Sequence, residues 1–451
     1  MVVWSEVKAS GLIKANRFDG EYFQPSMIQL ESMLSKFGSE KLSTRRPMLT
    51  YGTTPKGAEW VEEDVGVPFV RSQDFSGGIV EGFSQYCSKH HHTTNQKSAI
   101  SGGDVLVAAI GATIGSVGLY PTSFGEANTN QNIARIRLDN WEDNVFLWSF
   151  LCSSFGNRQL HRLATGNAQP YLNSIQMNRI LIPWTLRPLF DSEIVKKFEI
   201  SVQQSHEFYL QAEQVLEAEL GVNKLLFTKP MGYATKFSDL ELSRRFDAEH
   251  FYPAFDNLKE KLPEHVRLVP LGPLLTFCQR GKQPIYSENG LQVLNSKHIL
   301  ENKITLEGNR FAKPNPVVSL QIQHGDVLIN GTGRGTIGRT APYLINRCHA
   351  IPDNHVTILR SSILDPAYLS FFMNSLAGKL QVEKYQRGSS GQLELYPFDI
   401  RKFQVWEAPK SIQLEIRRLY ELATERADQA KTFLQQAKTR VEQLIEEAVK
   451  L

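Results

Sequence analysis

Two kinds of pattern alternate along this chain. Short apolar runs bounded by Gly, Pro, Asn and Asp fill residues 40–185 and again 266–408. Val105-Leu106-Val107, Ile133-Ala134-Arg135-Ile136 and Val356-Thr357-Ile358-Leu359 are examples, and they predict short strands joined by turns. Helix-compatible segments at 144–163 and 366–385 interrupt them. The flanking stretches read differently. Residues 191–220 contain neither Gly nor Pro and place apolar side chains at Ile194, Phe198, Val202, Phe208, Ala212, Val215 and Leu216. Residues 411–451 also lack both, with a ladder at Ile412, Ile416, Leu419, Ala423, Ala427, Ala430, Leu434, Ala437, Val441, Leu444 and Ala448. Steps of three and four residues are the seam of a coiled coil. A stripe of this kind also serves a helix packed on its own domain. Its narrowness and its length, roughly 60 Å if fully helical, favour helices of the two halves covering each other.

The alternation reflects a duplication. RFDGEYFQP (17–25) returns as RFDAEHFYP (245–253), identical at six of nine positions. Gly52-Thr53-Thr54-Pro55 returns as Gly281-Lys282-Gln283-Pro284, and GDVLVAAIGATIG (103–115) as GDVLINGTGRGTIG (325–338). TNQNIARIR (129–137) matches PDNHVTILR (352–360) in pattern. Gly166 and Gln169 match Gly388 and Gln392, and Glu193-Ile194 matches Glu415-Ile416. The period of roughly 225 residues exceeds the 20–50 of solenoid repeats, so each unit is a domain plus a helix. Within the opening phrase, Asp19 and Asp247 are expected to cap the short helices that follow, and the Phe residues to pin each domain to the helices.

Composition and charge narrow the function classes without choosing one. The chain has 451 residues and a formal net charge of +3, a mild excess that permits nucleic-acid binding without arguing for it. Cys87, Cys152, Cys278 and Cys348 are too scattered for a zinc motif and read as reduced thiols of a cytoplasmic protein. No apolar run suggests a membrane span or a signal core. GRGTIG (333–338) has dinucleotide-loop spacing, but Pro342 follows where a helix must open, and the first copy lacks the pattern. Arg339 stands where a phosphate loop needs Lys. The amine-positioning motif of amino-methyltransferases, a nuclease signature and a nucleophile elbow are all absent. His90-His91-His92 has no acidic or Cys partner at ligand spacing and reads as a solvated polar loop. No catalytic residue, metal or cofactor is expected. The polar loops are more informative. Arg71 and Gln73 follow one strand, and Asn295, Lys297 and His298 follow its counterpart. Arg, Lys, Asn and Gln are the side chains that read base edges. Equivalent but non-identical tips suit a scaffold that reads two different sequences.

In this order, the duplicated blocks resemble the specificity (S) subunit of type I restriction–modification enzymes, over nearly the whole chain. The resemblance implies an α+β fold with two β-rich target-recognition domains in tandem. Long helices would separate and follow them, forming an antiparallel coiled coil. The expected boundaries are 1–188 for the first domain, 189–228 for the central helical spacer, 229–408 for the second domain and 409–451 for the last spacer. It further implies a non-catalytic subunit that reads a bipartite, asymmetric site in double-stranded DNA. Its partners would be DNA methyltransferase (M) subunits and, where present, restriction (R) subunits. The DNA-contact candidates are Lys56, Arg71, Gln73, Gln169, Lys282, Gln283, Asn295, Lys297, His298, Arg334, Arg339 and Arg387. The alternative is a protein-binding scaffold with two β-rich modules on a rigid helical spacer; a further one is an enzyme whose site carries no familiar signature.

Overall fold

The structure is a computed structural model. It describes residues 5–450 apart from 16, 37, 62–64, 76, 84, 167–168, 223–224, 226–231, 307, 314–319, 334, 346–349 and 389–392. Arg334, Cys348 and Gln392 therefore lie outside the described residues.

The chain forms two units, residues 1–206 with 425–451, and residues 207–424. The α+β reading holds, and the duplication is repeated element by element. In the first unit a four-stranded antiparallel sheet takes the order Met48–Tyr51, Ile133–Arg137, Val105–Ala108, Val117–Leu119. In the second unit the order is Phe277–Arg280, Val356–Arg360, Asp326–Asn330, Thr340–Tyr343. Each unit adds a second sheet whose last pair is parallel: Val67–Val70 with Asn128–Thr129, and Leu291–Leu294 with Ala350–Pro352. Pro342 sits in an edge strand, the position a sheet tolerates for a residue without an N–H. The second glycine turn thus leads into a strand and not into the helix that a dinucleotide loop requires.

The apolar runs are continuous because the main sheet is covered on both faces. Val105 and Val107 join one core cluster while Leu106 and Ala108 join another, on the opposite side of the strand. Val327 and Ile329 divide from Leu328 in the same way. The repeated GDV phrase anchors this sheet. Asp104 is buried and takes a two-pronged hydrogen bond from Arg137 at 2.6 Å and 2.6 Å, plus the Ser101 N–H at 2.9 Å. Asp326 repeats it with Arg360 at 2.6 Å and 2.9 Å and the Gln323 N–H at 2.7 Å.

Each predicted helix over 144–163 and 366–385 is instead two helices: Trp141–Cys152 with Ser154–Leu163, and Pro366–Asn374 with Leu376–Tyr385. The break is built from Ser and Gly three apart. Ser153 Oγ donates to the Phe150 carbonyl at 2.6 Å, and Ser375 Oγ to Phe372 at 2.7 Å, diverting backbone acceptors. A Cβ on Gly156 would lie 2.2 Å from the Phe150 oxygen, and one on Gly378 2.1 Å from that of Met373, so only glycine lets the second helix turn so close to the first.

The long helices are Glu193–Leu220 and Lys410–Lys450, and each is divided between the units. Val195, Phe198, Ala437, Val441 and Leu444 are core of the first unit, where Phe198 stacks on Trp148 at 5.3 Å. Ala212, Leu216, Ile416 and Leu419 are core of the second, where Tyr209 meets Phe371 at 6.4 Å and Tyr420 at 6.0 Å. The sequence boundaries treated these helices as separate segments; the contacts make each half-helix a layer of a unit. No described helix is long and apolar enough to cross a membrane.

The opening phrase is a clamp on the helix pair. Arg17 donates to the Leu163 and Ala164 carbonyls at 3.3 Å and 3.1 Å, capping the end of Ser154–Leu163, and Asp19 orients its guanidinium. Arg245 donates to the Tyr385 and Gln386 carbonyls at 3.2 Å and 2.6 Å and pairs with Asp247. Side-chain donors of this kind satisfy carbonyls that a helix end leaves open. The capping expectation fails at both places: Asp19 accepts the Tyr22 N–H at 3.0 Å but closes a turn rather than a helix, and Asp247 makes no side-chain cap bond. Nor do all the phenylalanines pin: Phe18 and Phe246 are 78% and 82% exposed, while Phe23 is buried.

Candidate nucleic-acid interface

In the first unit the parallel strand pair places two chain ends side by side. Arg71 leaves one strand, Asn130 leaves the other, and Thr129 Oγ1 donates to the Val70 carbonyl at 2.9 Å. Asn130, Gln131 and Asn132 form a turn closed by the Asn132 N–H on Asn130 Oδ1 at 3.0 Å. Gly52 N–H donates to the Asn130 carbonyl at 3.1 Å, and Thr54 Oγ1 to Gln131 Oε1 at 2.6 Å. A Cβ on Gly52 would sit 1.8 Å from the Thr129 oxygen, which explains why that block needs glycine. The glycine turn joins through Ala109 N–H on the Asn132 carbonyl at 2.7 Å, and the paired Thr165 and Tyr171 through the next residue, Leu172, whose N–H meets the Ala109 carbonyl at 2.8 Å. Four sequence-distant blocks thus meet at one end of the unit.

The second unit repeats the cluster. Asp353 N–H donates to the Leu294 carbonyl at 2.9 Å, and Asp353 Oδ1 accepts the His355 N–H at 2.8 Å. Burial lifts the Asp353 carboxyl above the usual aspartate range. A Cβ on Gly281 would lie 2.1 Å from the Asp353 oxygen. Gly331 N–H donates to the His355 carbonyl at 2.7 Å, and Leu395 N–H to the Gly331 carbonyl at 2.8 Å.

These clusters hold most of the candidate side chains. Lys56, Gln73 and Gln169 are exposed around the first, and Lys282, Gln283 and Lys297 around the second. Arg71 is half-buried beside Asp74, its N–H on Asp74 Oδ2 at 2.7 Å. Asn295 Oδ1 accepts the Lys297 N–H at 3.2 Å, and the Lys297 ammonium reaches the Gly308 carbonyl at 2.8 Å. Arg339 is half-buried, its backbone closing the glycine turn through its carbonyl on Asn330 N–H at 2.9 Å. Two candidates have structural duties instead. His298 is fully buried and its Nδ1 accepts the Asn295 N–H at 3.1 Å, so it offers no surface to a duplex. Arg387 is locked to the buried Asp399 at 2.7 Å and 3.0 Å, a bond that holds its pKa above the ordinary value. Exposed Thr54 and Gln131 were missed, although both lie inside repeated blocks.

The histidine triplet also differs from expectation. His91 and His92 are buried in the helix Lys89–Thr94 rather than solvated. His91 sits 3.3 Å from Glu59 and 3.0 Å from the Thr53 carbonyl, bracing the loop that carries Lys56, while His92 lies 3.2 Å from Glu126. Among the described residues no group of three His, Cys, Asp or Glu is placed to hold a metal ion. A cleft of about 480 Å³ under the first phrase is lined by Arg162 and Arg179, but their guanidinium groups are engaged by Glu31 and by backbone carbonyls.

No family model and no curated protein matches the sequence. Solved structures do. The chain is similar to the S subunit of a type I restriction–modification system from M. genitalium, at 12% identity and TM-score 0.39, over 90% of this chain and 94% of that one. It is similar to the HsdS subunit from Thermoanaerobacter tengcongensis, at 14% identity and TM-score 0.26, over 91% and 96%. The type IIG restriction endonuclease BpuSI matches at 13% identity and TM-score 0.32, over 56% of this chain and 34% of that one.

Proposed function

We propose that this chain is a DNA-sequence-recognition subunit of a type I restriction–modification system, reading a bipartite, asymmetric site in double-stranded DNA. The observation that carries this is the loop cluster built twice on the same topology, from the same repeated blocks, with different polar side chains at the tips. Lys56, Gln73 and Gln169 ring one cluster, and Lys282, Gln283 and Lys297 the other. A conserved frame with divergent Lys and Gln tips suits two half-sites of different sequence. Chemistry on the DNA would come from methyltransferase subunits and, where present, restriction subunits.

The test is selection of randomised duplexes by the full chain assembled with its methyltransferase partner. A motif split by an unread spacer is expected, with affinity falling steeply as salt rises. An uninterrupted motif, or no preference, overturns the reading. Binding to protein partners with no salt-dependent DNA affinity would favour the scaffold alternative.

A further inference from the structure

The second unit carries an aromatic feature that the candidate set did not include. Phe398 opens outward at 52% exposure, stacked on Tyr396 with ring centroids 5.5 Å apart and an interplanar angle of 11°. Three cations surround the pair. The Arg387 guanidinium lies 5.0 Å and the Lys402 ammonium 5.5 Å from the Phe398 ring centre, and Arg280 lies 5.6 Å from that of Tyr396. The acids present are already engaged. Asp399 holds Arg387 at 2.7 Å and Lys402 at 3.2 Å, and Glu394 faces Arg280 at 3.6 Å. Arg280 ends the strand that leads into Gly281 and Lys282, so the aromatic pair borders the loop cluster. In the first unit the equivalent positions are Asn173 and Ile175, the latter 66% exposed, so that unit has an exposed apolar residue without an aromatic pair.

Exposure alone marks nothing, since Phe18 and Phe246 are more exposed; the marks of Phe398 are the ring stacked beneath it and the cations around it. Its surroundings suit a partner with negative charge and flat apolar faces close together, as in nucleic acid, where bases stack on aromatic side chains and cations meet the flanking phosphates. We propose that Phe398 is an aromatic wedge of the second unit, packing against the bases of a bound duplex and loosening one base step, while the exposed Lys282 and Lys402 meet the adjacent backbone and Arg280, held by Glu394 and the Asn354 carbonyl, supports Tyr396. This rests on the DNA-recognition reading above. Tyr396 and the paired cations brace the ring, so little ordering remains to be done on binding. Wedges of this kind unstack a step and bend the duplex. In the first unit Ile175 stands at the position of Phe398 and the exposed Tyr171 carries no cation over its ring among the described residues, so the wedge is assigned to the second half-site.

The test compares the full chain with Phe398→Ala and Phe398→Trp variants, each assembled with the methyltransferase partner. The probes are the duplex recovered by selection, carrying 2-aminopurine at successive positions of either half-site, and a scrambled duplex. The expected result is about ten-fold weaker binding for Phe398→Ala and an unchanged melting temperature. A rise in 2-aminopurine fluorescence that Phe398→Ala abolishes and Phe398→Trp keeps is expected in one half-site only; a rise that Phe398→Ala leaves unchanged belongs to base flipping by the methyltransferase partner. Wild-type affinity in Phe398→Ala overturns the wedge and leaves DNA recognition standing, as does a wild-type complex without the fluorescence rise. Failure of the unaltered assembly to prefer the selected duplex overturns the recognition reading itself.

Discussion

Single side chains decide how each unit is closed. Arg245 is 4% exposed and satisfies two helix-end carbonyls while pairing with Asp247. Arg245→Ala strands those groups, so it is expected to destabilise the second unit by on the order of 2–4 kcal/mol, read as a lower urea midpoint for that unit. The pair also sets an acid response. Burial alone would raise the Asp247 pKa, but the hydrogen bond and charge of Arg245 outweigh it and hold the carboxyl below its ordinary value. A carboxylate lowered on folding stabilises the fold above its unfolded pKa and loses that contribution as pH falls through the folded one. Asp247→Asn should therefore flatten the acid limb of stability below the ordinary aspartate range, measured by unfolding across pH. The thiols point the other way. Burial pushes Cys87 and Cys278 up to about 11 and Cys152 up to about 12. All three should resist alkylation at pH 8 and react only after urea unfolding, as peptide mass spectrometry would read.

At the scale of elements, close backbone approaches hold the loop clusters together. Gly281→Ala drives a methyl into the Asp353 carbonyl, whereas Gly82 has open space around its Cα. The first substitution should cost about 1–3 kcal/mol and weaken one half-site, with Gly82→Ala near neutral; thermal melts and footprinting would separate them. Much of this architecture was legible in the residues. The strands followed from apolar runs covered on both faces, and the helix stripe from its three-and-four spacing. Ile416, Leu419, Ala423 and Ala437 are indeed buried. What escaped were features set by backbone geometry. The broken helices kept a helical pattern throughout, and only the paired Ser153-to-Gly156 and Ser375-to-Gly378 spacing marks the break. His298 looked like a surface base reader because nothing local shows that the chain folds over it. The phrase RFDxExF was read for its aspartates and phenylalanines, yet it is the arginine that ties it down, binding carbonyls 146 and 140 residues away, a partnership only the folded chain reveals.

For the whole molecule, the two units have unequal claims on the chain. The second is one continuous stretch, residues 207–424, and the first needs residues 425–451 as well. Removing 425–451 should leave the second unit folded and open the core of the first, since Ala437, Val441, Leu444 and Ile445 would be gone. Hydrogen exchange should then rise across 105–163 and stay low across 326–330 and 356–385. Exchanging residues 266–408 for a relative's domain should change one half-site only, as sequencing of selected duplexes would record.

That division also fixes an order of events on the ribosome. Domains usually complete themselves as they emerge, the earlier before the later. Here the later unit has all its layers as soon as residue 424 has emerged, while the earlier one waits, its core incomplete, until the helix residues Ala437, Val441 and Leu444 arrive. A chain released early by truncated translation would therefore present a finished second half and an open, apolar first half. Quality control would have a clear mark by which to recognise it.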